Sequence, residues 1–232
     1  MSDKQIALVA EGPTDYVIVE AALKAVLDTP FVLTLLQPEP TRPQSGTGWC
    51  GVLKWCVETG QRVNGQVESD PLLARFDLII LQTDTDIVRN AYDDCGPQIA
   101  DQAAQQGWEP LPNPVGCPPA SSAAAVVRRA IESWLQPAYP GPRTLFCLPA
   151  QASDAWLAAA VLSADNELLH GLECHPGLAA KLAQLPLAQR IRKNRREYQH
   201  HARGITEHWP AVKSRCAQAA VFEAEVLAAM SA

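Results

Sequence analysis

The 232-residue chain lacks most of the signatures from which an enzyme class is read directly. It has no Gly-x-x-x-x-Gly-Lys-Ser/Thr loop, so it is not expected to be an ATPase on its own. The Gly-Thr-Gly at 46–48 is too short for a dinucleotide loop, and no Gly-x-Ser-x-Gly elbow marks a serine hydrolase. No apolar run reaches the roughly 18 residues of a membrane span. The opening Met-Ser-Asp-Lys-Gln shows no signal peptide, so a cytoplasmic protein is expected. Internal repeats are absent.

Positive charge is also scarce. The net charge is −6, whereas a protein that coats nucleic acid without regard to sequence is usually basic. Nucleic acid is therefore admitted only through a local basic patch or as a substrate held partly by metal. The seven cysteines are odd in number and form no Cys-x-x-Cys. They are read as reduced, mostly buried thiols in a reducing compartment. A zinc site on Cys174 and His175 would need a second ligand pair that the sequence does not offer.

What the chain does have is a globular composition, 47% hydrophobic against 19% charged, and a length that can bury a substantial core. Its 19 prolines cluster at 30–43, 110–119 and 137–149, which read as loops. The runs IALVA at 6–10, FVLTLL at 31–36, FDLIILQTDTD at 76–86 and TLFCLPA at 144–150 read as strands. Helices are expected at 15–28, 48–63, 97–107, 121–135 and 153–163, with Thr14 as a cap of the first. The stretch 176–231 reads as wholly helical. Alternating strands and helices predict an α/β domain with a mostly parallel central sheet flanked by helices over 1–165, and an all-helical C-terminal subdomain over 166–232. Six tryptophans, Trp49, Trp55, Trp134 and Trp156 among them, read as core or interface anchors. His170, His175 and His208 read as surface or capping residues.

Ligands of open α/β sheets gather beyond the carboxyl ends of the strands. Glu11 stands there after the first strand, and Asp84 and Asp86 after the third. Neighbouring strands would bring three mutually repelling carboxylates together, an arrangement a cation relieves. Oxygen ligands favour Mg²⁺ or Mn²⁺ over zinc. On an extended strand Asp84 and Asp86, two apart, would point to the same side and reach one ion. Gly12 would let the backbone turn tightly and a phosphate approach. Asp15 and Glu20 favour the positive end of the following helix.

ALVAEGPTDYVIVEAAL resembles the first motif of the toprim fold, a strand followed by Glu-Gly and a helix, and DLIILQTDTDI resembles its second, a strand ending in Asp-x-Asp. Toprim domains occur in topoisomerases, primases, small ribonucleases and OLD-type endonucleases. The resemblance implies that Glu11 acts as general acid/base or a further ligand, while Asp84 and Asp86 bind Mg²⁺. SDAWLAAA, with Asp154, and the tail ITEHWPAVKSRCAQAAVFEAEVL are similar to a small toprim-like family found with phage-defence genes. That family often carries Glu where this chain has Asp154, so Asp154 either reaches a metal through water or caps its helix. These matches touch about a third of the chain. They imply a Mg²⁺-dependent nuclease acting in antiviral defence with a separate ATPase partner.

QRIRKNRREYQHHARG is the one dense basic stretch. Arg192, Lys193, Arg195, Arg196 and Arg203 could hold phosphates there, and Tyr198 could stack on a base. Lys193 could also stabilise transition-state charge. A solvated helix face is the other reading. The leading expectation is an endonuclease on DNA or RNA, without a membrane and with homo-oligomerisation left open. The alternative is a non-catalytic toprim-like subunit of a larger complex. A metal-dependent nucleotidyl- or glycosyl-transferase fits less well.

Overall fold

The computed structural model describes residues 3–39, 41 and 46–231. Four strands, β1 (Lys4–Val9), β2 (Phe31–Gln37), β3 (Leu78–Gln82) and β4 (Thr144–Cys147), form one sheet in the order β2-β1-β3-β4. All pairings are parallel, with Ile6 opposite both Leu33 and Leu78 and Gln82 opposite Cys147. The chain is α/β, as its alternating pattern predicts. β1 and β3 are neighbours, so the residues after them share one end of the sheet.

The apolar strand runs are continuous because both faces are covered, and the two-residue period decides which core each side chain enters. Ile6, Leu8, Leu78, Ile80, Leu145 and Cys147 enter one core, while Ala7, Val9, Ile79, Leu81 and Phe146 enter the other. The helices, in chain order, are α1 (Pro13–Val26), α2 (Gly48–Arg62), α3 (Pro97–Gln106), α4 (Ala120–Leu135), α5 (Asp154–Val161), α6 (Leu178–Gln184), α7 (Arg195–Glu207), α8 (Trp209–Arg215) and α9 (Ala217–Ser231). The first core is closed by α1, α5 and the tail helices, through residues such as Trp156, Tyr198, Trp209 and Phe222. The second is closed by α2 and α4 with the aromatic group Trp49, Tyr92, Trp108 and Trp134. The tryptophans are thus core anchors, and α7 lies against both α1 and α5.

Several local expectations change. The helix α1 is capped by Gly12 rather than Thr14, with Pro13 in its first turn where a missing N–H costs nothing. Gly12 has an extended backbone, φ −161°, that any residue adopts, so its conformation does not require glycine. The Pro/Gly loop expected at 37–48 includes 40 and 42–45, which lie outside the described residues. The tail is interrupted rather than wholly helical. Residues 186–194 form an irregular connection, and α7 begins only at Arg195, where Asn194 Oδ1 caps it by accepting from Glu197 N at 3.0 Å.

The cysteine reading is overturned for four of the seven. Cys50–Cys95 and Cys117–Cys174 are disulfides, while Cys56, Cys147 and Cys216 are buried thiols. Partners 45 and 57 residues apart carry no spacing signal, so the fold alone brings them together. The inference of a reducing compartment falls with them, and so does a zinc ligand at Cys174. Among the described residues no helix is long and apolar enough to cross a membrane.

Candidate acidic site at the carboxyl end of the sheet

The strand β3 stops at Gln82, two residues before the acids. Thr85–Arg89 then winds into a 3₁₀ turn with Asp84 as its leading residue. Asp84 and Asp86 are therefore not side by side on an extended strand. Asp84 is turned inward and buried, and Asp86 stands exposed at the rim. The same-side placement expected of an extended strand is therefore absent.

Glu11 and Asp84 nevertheless meet, because β1 and β3 are adjacent. Asp84 N donates to Glu11 Oε1 at 2.8 Å. Gln82 joins them: its Oε1 accepts from Glu11 N at 3.1 Å and its Nε2 donates to Asp84 Oδ1 at 3.1 Å. The loop after β4 closes the group. Ser153 N donates to Asp84 Oδ1 at 3.0 Å, and Ser153 Oγ donates to Asp15 Oδ1 at 2.5 Å. Asp15, one turn into α1, thus belongs to the cluster instead of merely favouring a helix terminus. Its buried side chain faces the acids, a role that its helix-start position hides in the sequence.

Asp154, the first residue of α5, is 1% exposed and has both carboxylate oxygens in use. Lys193 Nζ donates to Oδ2 at 2.9 Å, and the Tyr198 hydroxyl donates to Oδ1. Neither helix capping nor an open ligand position describes it. Tyr198 is itself 1% exposed, so it does not offer a stacking surface for a base. Lys193 is exposed along part of its side chain but its ammonium reaches the acids, whereas Arg195 and Arg196 are exposed without such a contact and Arg203 pairs with Glu207 on the surface at 2.7 Å. Arg192 faces a separate cavity. The five basic residues thus have different surroundings: the cavity for Arg192, Asp154 for Lys193, Glu207 for Arg203, and open surface for Arg195 and Arg196. Among the three histidines, His208 Nδ1 lies 2.9 Å from Ala160 O at the α7–α8 junction, a local structural role.

The electrostatics record crowding. Burial, then the nearby Asp15 charge, raises Glu11 to about 8, against a stabilising bond from Asp84 N. Burial followed by the charges of Asp15 and Glu11 holds Asp84 well above the ordinary carboxylate range. Asp15 is also raised, chiefly by burial, although Lys193 and the Ser153 hydroxyl oppose it. Even at the rim Asp86 is raised, because the protein beneath it displaces hydration; Lys193 and Arg89 pull the other way. Burial alone would depress Lys193, but Asp154, Asp84 and Asp15 outweigh it and raise its pKa.

Two oxygens are left open. No donor among the described residues reaches Glu11 Oε2 or Asp84 Oδ2. With Asp86 they give a hard, anionic oxygen set whose chemistry suits Mg²⁺ or Mn²⁺. Their placement is less complete: among the described residues no group of three or more His, Cys, Asp or Glu is arranged to hold an ion. No family model, curated protein or solved structure matches the chain.

Proposed function

We propose that the chain is a Mg²⁺- or Mn²⁺-dependent, toprim-like nuclease that cuts phosphodiester bonds in DNA or RNA. The observation that carries this reading is the pair of open oxygens on Glu11 and Asp84, in a cluster whose carboxylates are all held above their usual pKa. Such a cluster favours either protons or a divalent cation. Glu11, Asp84 and Asp86 would hold the ion, with Asp86 turning inward from the rim. A bound divalent ion supplies Lewis-acid polarisation of a phosphoryl oxygen and acidifies bound water.

The remaining work belongs to the chain's own groups. Glu11, at about 8, holds a proton at neutral pH when no cation is bound and can exchange it at Oε2. Lys193, fixed by Asp154, brings a positive charge to a cluster that would otherwise repel phosphate. Asp154 and Tyr198 are positioning residues, since both act through Lys193 or its immediate surroundings. Ser153 and Gln82 order Asp84 through the hydrogen bonds described above. The resemblance to the toprim motifs supports the nuclease class, and the likeness of SDAWLAAA and the tail to a defence-associated family supports a role in defence. The ATPase partner stays with that resemblance, since no residue speaks to it.

Lys193 and the incomplete ligand arrangement favour a second reading, a non-catalytic subunit in which lysine permanently neutralises the acids. The test is cleavage of a mixed DNA and RNA panel by purified protein with Mg²⁺ or Mn²⁺. Cleavage abolished by Glu11→Gln and by Asp84→Asn/Asp86→Asn supports the enzyme. Cleavage unchanged in those variants contradicts the site.

A further inference from the structure

The irregular connection before α7 borders a cavity of about 580 Å³, within the roughly 300–1,000 Å³ that small-ligand sites occupy. Val161 and Leu162, at the end of α5, and Leu187 give it an apolar side. Arg190, Arg192, His200 and His201 give it a basic side. Among the described residues Glu197 is the one acid that lines it, and that carboxylate already accepts from Arg192 N at 2.5 Å. Arg190 Nε donates to Leu185 O at 3.2 Å, which fixes the stem and leaves both terminal nitrogens for another acceptor. Among the described residues the Arg192 guanidinium has no hydrogen-bond or salt-bridge partner. The His200 and His201 rings stand 5.0 Å apart, edge to face, and add imidazole faces and edges to the lining.

We propose that this cavity binds one phosphorylated nucleotide unit, with its phosphate on Arg190 and Arg192 and its base between the apolar side and the imidazoles. Two guanidiniums in a mainly uncompensated pocket match a phosphate, and a lining that combines apolar side chains with an imidazole face matches a nucleobase. A bare anion would leave the apolar side unused, and a neutral apolar ligand would leave the arginines unpaired. The substrate class rests on the nucleic-acid reading of the acidic site. Arg192 lines the cavity while its neighbour Lys193 reaches Asp154, so one short segment joins the two places. They lie at opposite ends of α5, about 10 Å apart at 1.5 Å per residue. A strand seated in the cavity could therefore present a nearby phosphate to the acids.

Isothermal titration in EDTA tests this with AMP, adenosine, inorganic phosphate and a 5′-phosphorylated oligonucleotide. AMP should bind at least tenfold more tightly than adenosine or phosphate. Arg192→Ala and His200→Ala should each weaken AMP about tenfold at unchanged melting temperature, while Arg196→Ala, in the same basic run but off the cavity, should not. An oligonucleotide that outbinds AMP identifies a nucleic-acid strand as the source; equal binding identifies a free nucleotide. Absence of both AMP and oligonucleotide binding overturns the proposal, as does wild-type AMP affinity in both cavity variants. Binding without Mg²⁺-dependent cleavage would sink the nuclease reading and keep the cavity, and cleavage without binding would do the reverse.

Discussion

The two ends of the same four-stranded sheet treat carboxylates in opposite ways. At the amino end each acid stands alone and is met by backbone donors. Asp77 accepts from Gln5 N at 2.8 Å and pairs with Lys4, and these contacts hold it below the usual carboxylate range. Glu68 is buried against the segment that leads into β4, where its two oxygens take Gly141 N at 3.0 Å and Arg143 N at 2.8 Å. At the carboxyl end Glu11, Asp15, Asp84 and Asp86 repel one another, and two oxygens lack donors. The first pattern is what stabilises a fold. The second costs stability and persists where a fold retains groups for another purpose.

The largest expected effect comes from removing charge at the carboxyl end. Asp84→Asn keeps an oxygen for Ser153 N and Gln82 while ending the repulsion. Under the nuclease reading it should lower cleavage by about 100-fold or more, while unfolding free energy rises by about 1 kcal/mol. Cleavage kinetics with urea unfolding measure both, and a loss of stability would break the comparison. At the amino end the sign reverses. Glu68→Gln places an amide against two backbone donors and should destabilise by about 2 kcal/mol. The same urea titration reads it.

The pH dependence sharpens the contrast. Glu11 has a folded pKa of about 8 against an ordinary 4.5, so the folded state keeps a proton that the unfolded chain releases. Its contribution is present at low pH and is lost as pH rises between those values. Metal-free stability should accordingly fall from pH 5 to 8, and Glu11→Gln should flatten the slope. Asp77, with its pKa lowered, contributes above the ordinary value and loses that contribution as pH falls below it. Urea midpoints across pH 3–8.5 separate the two. The smallest effect belongs to the exposed Arg203–Glu207 pair. Arg203→Ala should move the melting temperature by no more than about 1 °C in a thermal scan.

The carboxyl-end half of this contrast is legible in the sequence, the amino-end half is not, and the limits are physical. The apolar runs at 6–10 and 78–81 identified parallel strands because sheets covered on both faces admit only apolar side chains. The abrupt acids after those runs located Glu11 and Asp84. Asp15 reads as a helix-start acid, which is an ordinary explanation, and only the Ser153 contact across 138 residues places it in the cluster. Tyr198 sat in a run of charges, yet its helix turns it into the first core. Strand geometry predicts Asp86 beside Asp84, and the 3₁₀ turn at Thr85–Arg89 abolishes that geometry. The disulfides depend on long-range approach that no local pattern encodes.

We propose that Glu11, Asp84 and Asp86 take up a divalent cation, with Asp86 moving inward from the rim to complete the set. Thermal unfolding of the wild type and Asp84→Asn/Asp86→Asn, with and without Mn²⁺ between pH 6 and 8.5, tests it most directly. Mn²⁺ should stabilise the wild type most at the upper end, where the carboxylates yield their protons, and should leave the double variant unchanged. No stabilisation of the wild type at any pH, or equal stabilisation of both proteins, would contradict the account.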